Sequence, residues 1–200
     1  MVDNKYHIIV VDDSMDENDP LVVGLNIDFG EEAEVTLFHE VDNAMAFVQS
    51  HISERMIIFM DCMFNSAWQG VDAIINLRKQ TSLIYVVMMS ANSPHQFLDK
   101  DITALINTDN IFLIKNTDTI GAKSYVNKIK SLWKSKFDCV LENWILKHPE
   151  YAEKIVYRDT TQVYTWKDLL KELRMQSPIG KIIEEMVYRY YIFQYSEDIQ

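Results

Sequence analysis

Met56-Ile57-Ile58-Phe59-Met60-Asp61 is the stretch on which the reading of this chain turns. Five apolar residues run together, bounded by charge, and end on one carboxylate. Such a run reads as a buried strand. Three further stretches have the same form. Tyr6-His7-Ile8-Ile9-Val10-Val11 ends in Asp12-Asp13, Ile84-Tyr85-Val86-Val87-Met88-Met89 ends in Ser90, and Asn110-Ile111-Phe112-Leu113-Ile114 ends in Lys115. A fifth strand is expected over Ala33–Phe38. Helical patterns separate the strands, so the expectation is α/β, a five-stranded doubly wound parallel sheet.

In a parallel sheet all the strand ends fall on one edge, and open α/β sheets bind their ligands there. This edge would gather a carboxylate pair, a lone carboxylate, a hydroxyl and an ammonium. Clustered Asp oxygens suit Mg²⁺, which uses few carboxylates and keeps its waters. A hydroxyl and a Lys beside them can hold phosphoryl oxygens while a metal neutralises charge. A lone Asp after a strand most often only punctuates it; four strand ends of complementary chemistry shift the balance.

The pattern resembles the receiver domain of two-component response regulators over roughly residues 5–122. The order is an acidic pair, an acceptor Asp, a Ser or Thr, then a Lys. The spacings are 48 residues from Asp13 to Asp61, 29 from Asp61 to Ser90 and 25 from Ser90 to Lys115. The resemblance implies that Asp61 accepts a phosphoryl group from a histidine kinase or phosphotransfer protein. It implies that Asp12, Asp13, Asp61 and the Met63 carbonyl bind Mg²⁺, and that Ser90 and Lys115 hold the phosphoryl oxygens. Ser90 and Phe112 fall at switch positions. The chain would then be a signalling protein and not an enzyme, apart from self-phosphorylation and autodephosphorylation. The chain departs from the family at three places. Met63-Phe64-Asn65 lacks the usual Pro and Gly70 comes about one residue late. Asn116 stands where a Pro usually follows the Lys.

The strongest enzyme rival is a Mg²⁺-dependent phosphatase of the haloacid-dehalogenase kind, which also uses Asp, Ser or Thr and Lys at strand ends. It needs Asp-x-Asp on its first strand and an acidic pair after the Lys, and neither is present. Other motifs carry less. His148 precedes Pro at a helix end and reads as a packing residue. His7 lies inside a strand, and His39, His51 and His95 lack metal spacing. Gly121-Ala122-Lys123-Ser124 lacks the upstream Gly of a nucleotide-binding loop.

The net charge of −11 is uneven. Residues 1–121 hold 19 acidic and 6 basic side chains, residues 122–200 hold 11 and 13. The acidic part argues against nucleic acid. The remainder is weakly basic without a dense patch, which makes a DNA-binding transcriptional regulator the second choice of output. Cys62 and Cys139 form no metal motif and argue for a reducing compartment. No apolar run approaches the ~18 residues of a membrane span. With no signal-peptide pattern at Met1-Val2-Asp3-Asn4-Lys5, a cytoplasmic protein is expected.

Within the first part, helices are expected from Asp19-Pro20 to Phe29, from Val41 to His51, and from Gln69 to Gln80. Another would open at Ser93-Pro94, with Phe97, Ile102, Leu105 and Ile106 as an imperfect apolar face. Beyond Lys115 the division expected is a receiver-like domain over 1–122 and a mainly helical extension over 123–200. They would be joined by one long helix from Ala122 to about Lys147. Trp133, Phe137, Val140 and Trp144 mark its apolar stripe, which one subunit is not expected to cover. That stripe suggests a homodimer or an output protein docking on 123–200. A small hairpin is expected between Lys154 and Tyr164. A capping box at Thr165-Trp166-Lys167-Asp168 opens the next helix. Ser177-Pro178 opens the last, whose Tyr188, Tyr190, Tyr191 and Tyr195 read as core or interface packing.

Overall fold

A computed structural model of the chain describes residues 5–91, 103, 105 and 107–197. The first four strands are β1 (Tyr6–Val11), β2 (Ala33–Phe38), β3 (Met56–Asp61) and β4 (Tyr85–Ser90), and β5 spans Ile111–Lys115. They form one parallel sheet in the order β2-β1-β3-β4-β5, as expected of a doubly wound fold. β1, β3 and β4 are buried along almost their whole length. That burial explains why they read as unbroken apolar runs and not as alternating patterns. Each Val or Ile removed from water there stabilises the fold by roughly 1.5–3 kcal/mol.

The first helices are α1 (Pro20–Phe29), α2 (Val41–Ser50) and α3 (Gln69–Arg78). Asp19 caps α1, its carboxylate accepting from the Leu21 amide at 2.8 Å, and Pro20 takes the first helical position. Ile9, Ile58, Met60, Val86 and Met88 of one sheet face share a core with Val41, Ala44 and Val48 of α2 and Val71, Ile74 and Leu77 of α3. The helix start expected at Ser93-Pro94, with Phe97, Ile102 and Ile106, lies outside the described residues, as does His95. Leu105 is buried in the same core.

α4 spans Thr119–Trp133 and α5 spans Phe137–Lys147. The single long helix expected from Ala122 to Lys147 is therefore two helices. Lys136 sits between them in extended conformation (φ −82°, ψ 133°). Lys134-Ser135-Lys136 contains no helix breaker, so tertiary packing overrides local propensity here. α5 turns its Leu141 and Ile145 into a separate core with Leu169, Leu170, Leu173 and Ile183. The chain divides into two compact units, Met1–Leu132 and Trp133–Gln200, so all of α4 but its last residue belongs to the first.

In the second unit a short 3-10 turn over Pro149–Tyr151 leads to a hairpin of β6 (Ile155–Arg158) and β7 (Val163–Thr165). α6 (Trp166–Arg174) opens on the expected capping box, Thr165 and Asp168 each binding the other's backbone amide. α7 spans Pro178–Glu197. A Cβ on Gly180 would lie 2.2 Å from the Glu172 carbonyl, so only glycine lets α7 approach α6 this closely. Buried Arg174 donates to Asp138 and Glu142, both at 3.1 Å, tying α6 to α5. The stripe expected to be bare is mostly covered: Trp133 is buried and Phe137 and Trp144 pack against this core, while Val140 is exposed.

Candidate functional site

The parallel register carries Asp61 and Ser90 to the carboxyl edge of the sheet. Val11 is paired with Met60, so Asp12 follows directly beside Asp61. Asp61 is paired with Met89, and Ser90 with Lys115. Four chain segments that are 25 to 48 residues apart in pairs thus end side by side, because each is a strand of equal reach in one sheet.

Asp61 is half-buried, and its carboxyl is pushed up from 3.8 to about 6. Burial is the largest cause, followed by the negative charge of Asp12; Asp13 adds to it. The amides of Cys62 and Met63 work in the opposite direction by donating to the carboxylate. The Cys62 amide reaches Asp61 Oδ1 at 2.9 Å and also donates to the Met89 carbonyl. The Cys62 thiol beside it is wholly buried, and burial then Asp61 push it up to about 12, which removes it as a nucleophile.

The two acids of the pair play different parts. Asp12 is buried, and its Oδ1 accepts from the Ser14 amide at 2.8 Å, the Ser14 hydroxyl at 2.7 Å and the Met15 amide at 3.1 Å. One of its oxygens is thus committed to shaping the loop after β1. Asp13 is exposed and reaches across to the loop after β3, accepting from the Asn65 amide at 2.9 Å. Asn65 and Ser66 both take left-handed backbone (φ 48° and 63°), and Phe64 and Ala67 exchange two 2.9 Å hydrogen bonds across them. That is a two-residue hairpin turn, and its central residues need positive φ. Sequence reasoning missed it. The available signal was Asn-Ser between the apolar Phe64 and Ala67, weaker than the Asn-Gly that marks such turns.

Gly70, which looked one residue late for the family pattern, sits where it must. A Cβ there would lie 1.8 Å from the Asp61 carbonyl oxygen. Only a glycine in the first turn of α3 permits the helix to pass directly against Asp61.

Ser90 is buried at the end of β4. Lys115 is exposed at the end of β5, and its ammonium forms no ion pair among the described residues. Phe112, on β5, stacks on Tyr85 with centroids 6.5 Å apart and tilts against Tyr125 of α4 at 4.7 Å. The Lys128 ammonium lies 4.8 Å over its ring.

Among the described residues no group of three or more His, Cys, Asp and Glu side chains stands ready as a metal cage. Mg²⁺ asks for less than a cage, one or two carboxylates with a carbonyl and water. The donor set here fits that demand. It is all hard oxygen, and burial together with the charges of Asp12 and Asp13 makes the ionised Asp61 costly, a cost that a cation would relieve.

No protein-family model matches the chain, and no curated protein matches it. Solved structures similar to it are receiver domains. The receiver domain of NtrX from Brucella abortus is 21% identical, covering 61% of this chain and 96% of that one at a TM-score of 0.46. TrrA from Thermotoga maritima, in complex with Mg²⁺ and a beryllofluoride, is 18% identical over 62% of this chain and 98% of that one, at 0.47. A DrrB receiver domain activated by BeF₃ is 13% identical over 64% and 98%, at 0.47.

Proposed function

We propose that the first unit is a phosphoryl-accepting signalling switch, a response-regulator receiver, with Asp61 as acceptor. The observation that carries this reading is the Asp61 carboxyl itself. It is half-buried at a sheet edge, crowded by Asp12 and Asp13, and faced by strand ends bearing Ser90 and Lys115. Carboxyls with raised proton affinity cluster at functional sites, and the carboxyl edge of a parallel sheet is where such sites form.

On this reading a phosphohistidine of a kinase or phosphotransfer protein is the donor. An Asp61 oxygen forms the new O–P bond as the N–P bond breaks, and the leaving electron pair returns to the imidazole nitrogen. Bound Mg²⁺ would neutralise charge on the transferring group, and Asp13, Asp61 and the Met63 carbonyl would hold it. Asp12, with one oxygen spent on its own loop, would act through water. Asp13, clamped by the Asn65 amide, keeps its second oxygen for the metal. The Ser90 hydroxyl and the Lys115 ammonium would hold phosphoryl oxygens. Catalysis of this kind is positioning and charge neutralisation more than covalent chemistry.

Movement of Ser90 toward the acyl phosphate would be felt by Phe112, three residues before Ser90's partner Lys115 on the neighbouring β5. Its ring is held by Tyr85, Tyr125 and Lys128, so a change there alters the face made by β5 and α4. Output then passes to protein contacts, and the second unit is the expected carrier. The chain performs no further catalysis beyond taking phosphoryl from small donors and losing it to water.

Incubation with Mg²⁺ and a small acyl phosphate should add one base-labile phosphoryl group, read by intact mass. Asp61→Asn should add none. Retention of the added mass by Asp61→Asn would refute the assignment.

A further inference from the structure

Among the described residues, α7 is the least covered helix. Its first turns send Ile179 and Ile183 into the core of the second unit. From Tyr188 to Ser196 every residue is exposed. Yet this is no polar helix. Met186, Tyr190, Tyr191, Ile192, Phe193 and Tyr195 are each more than half exposed. A helix that is apolar on all sides is normally an enclosed one.

One face of α7 carries a pattern that points to what encloses it. Ile182, Glu185, Arg189 and Ile192 follow one another at spacings of three, four and three, which places them on a single stripe. At 100° per residue that stripe lies on the side away from Gly180, the contact with α6. All four are open to solvent: Ile182 is 49% and Ile192 70% exposed, and the side chains of Glu185 and Arg189 are 61% and 77% exposed. Read from either end the stripe is apolar, charged, oppositely charged, apolar. Two copies laid antiparallel therefore set Ile182 against Ile192 and Glu185 against Arg189, each pairing occurring twice. A parallel pair in register would set Glu185 against Glu185 and Arg189 against Arg189. The existing Glu185–Arg189 bridge, 2.6 Å within one helix, is ready to be shared across that axis.

The extent of the surface agrees. Six side chains on or flanking the stripe, Ile182, Met186, Tyr188, Ile192, Phe193 and Tyr195, are 49–70% exposed. At side-chain areas of roughly 150–250 Å² they leave on the order of 700 Å² of bare apolar surface. A standard interface takes about 800 Å² from each partner. The stripe carries one acid and one base, so it offers nothing specific to an anionic membrane or to nucleic acid. An isologous contact is self-complementary by construction. We propose that α7 pairs antiparallel with α7 of a second copy of this chain, through Ile182, Glu185, Arg189 and Ile192. The inference does not depend on any step at Asp61.

The test is sedimentation of the full chain at about 50 μM, well above a micromolar Kd. The wild-type chain should run at twice its 23.5 kDa mass. Ile192→Asp should run as a monomer, and Glu185→Arg and Arg189→Glu should each weaken the dimer at least tenfold. Mixing those two single variants should recover it, as should the Glu185→Arg/Arg189→Glu double variant. Helix content read by circular dichroism should be the same in all of them, since these side chains lie outside the second unit's core. A monomeric wild-type chain, whatever other protein or lipid it binds, would overturn the proposal. So would a dimer that survives Ile192→Asp, or single variants that fail to recover on mixing.

Discussion

Asp61 is costly to keep ionised, and that cost has a sign. Its folded value, about 6, lies above its ordinary value, so the folded chain holds the proton more tightly than the unfolded one. Stability from this group is complete below the ordinary carboxylate range and is lost as pH rises through about 6. Above that pH the ionised carboxylate destabilises the first unit. Because the side chain is partly open to solvent, the effect is on the order of 1 kcal/mol, not the full value of the shift. Asp61→Asn is therefore expected to raise the melting temperature by about 4 °C near pH 8 and to change it little near pH 4.5. Thermal melts at the two pH values check this. A variant equally stabilised at both would assign the effect to packing and not to charge.

At the scale of the element, most of the first unit could be read directly. Runs such as Ile57-Ile58-Phe59-Met60 are apolar throughout because both faces of the sheet are covered, and their polar ends mark where the edge lies. The cap at Asp19 and the box at Thr165 were legible because their donors and acceptors are local. What was not legible depends on partners far along the chain. The break between α4 and α5 leaves no local mark, since it is made by the core that Leu141 and Ile145 join. The Asp138–Arg174–Glu142 cluster joins residues 36 and 32 apart. Arg78 is another such case. In the sequence it is only the last residue of α3, yet its guanidinium donates to four backbone carbonyls. Ile84 is reached at 2.8 Å, Asp109 at 3.1 Å, and Thr81 and Asn110 at 3.3 Å. Burial draws its pKa down to about 10. It fastens the end of α3 to the entries of β4 and β5, where Asn110 takes left-handed backbone (φ 58°). Arg78→Met would strand these carbonyls and should cost about 2–4 kcal/mol in denaturant unfolding. Arg78→Lys should recover less than half, because one ammonium cannot span the fork's positions. Full recovery by Lys would mean that charge, not the fork, is what the site needs.

At the scale of the whole molecule, each unit has a core of its own, and a cavity in one is borne by that one. Leu173→Ala removes a buried side chain from the second core and should destabilise that unit by about 2–5 kcal/mol. Phosphoryl transfer to Asp61 from a small donor should proceed at the unaltered rate. Thermal unfolding of the variant followed by tryptophan emission, together with the mass gain at Asp61, tests both halves. A loss of phosphorylation at a temperature where the first unit stays folded would show that its site needs the second unit intact.

The two cysteines make the units separately observable. Each unit holds one thiol, Cys62 or Cys139, buried and pushed up to about 12. Neither is an effective nucleophile while its surroundings stay closed. A thiol-reactive label therefore acts as a pair of clocks, one started by each opening of the receiver-like core and one by each opening of the helical unit. Peptide mapping after a timed pulse reads them apart, with no engineered probe in the chain.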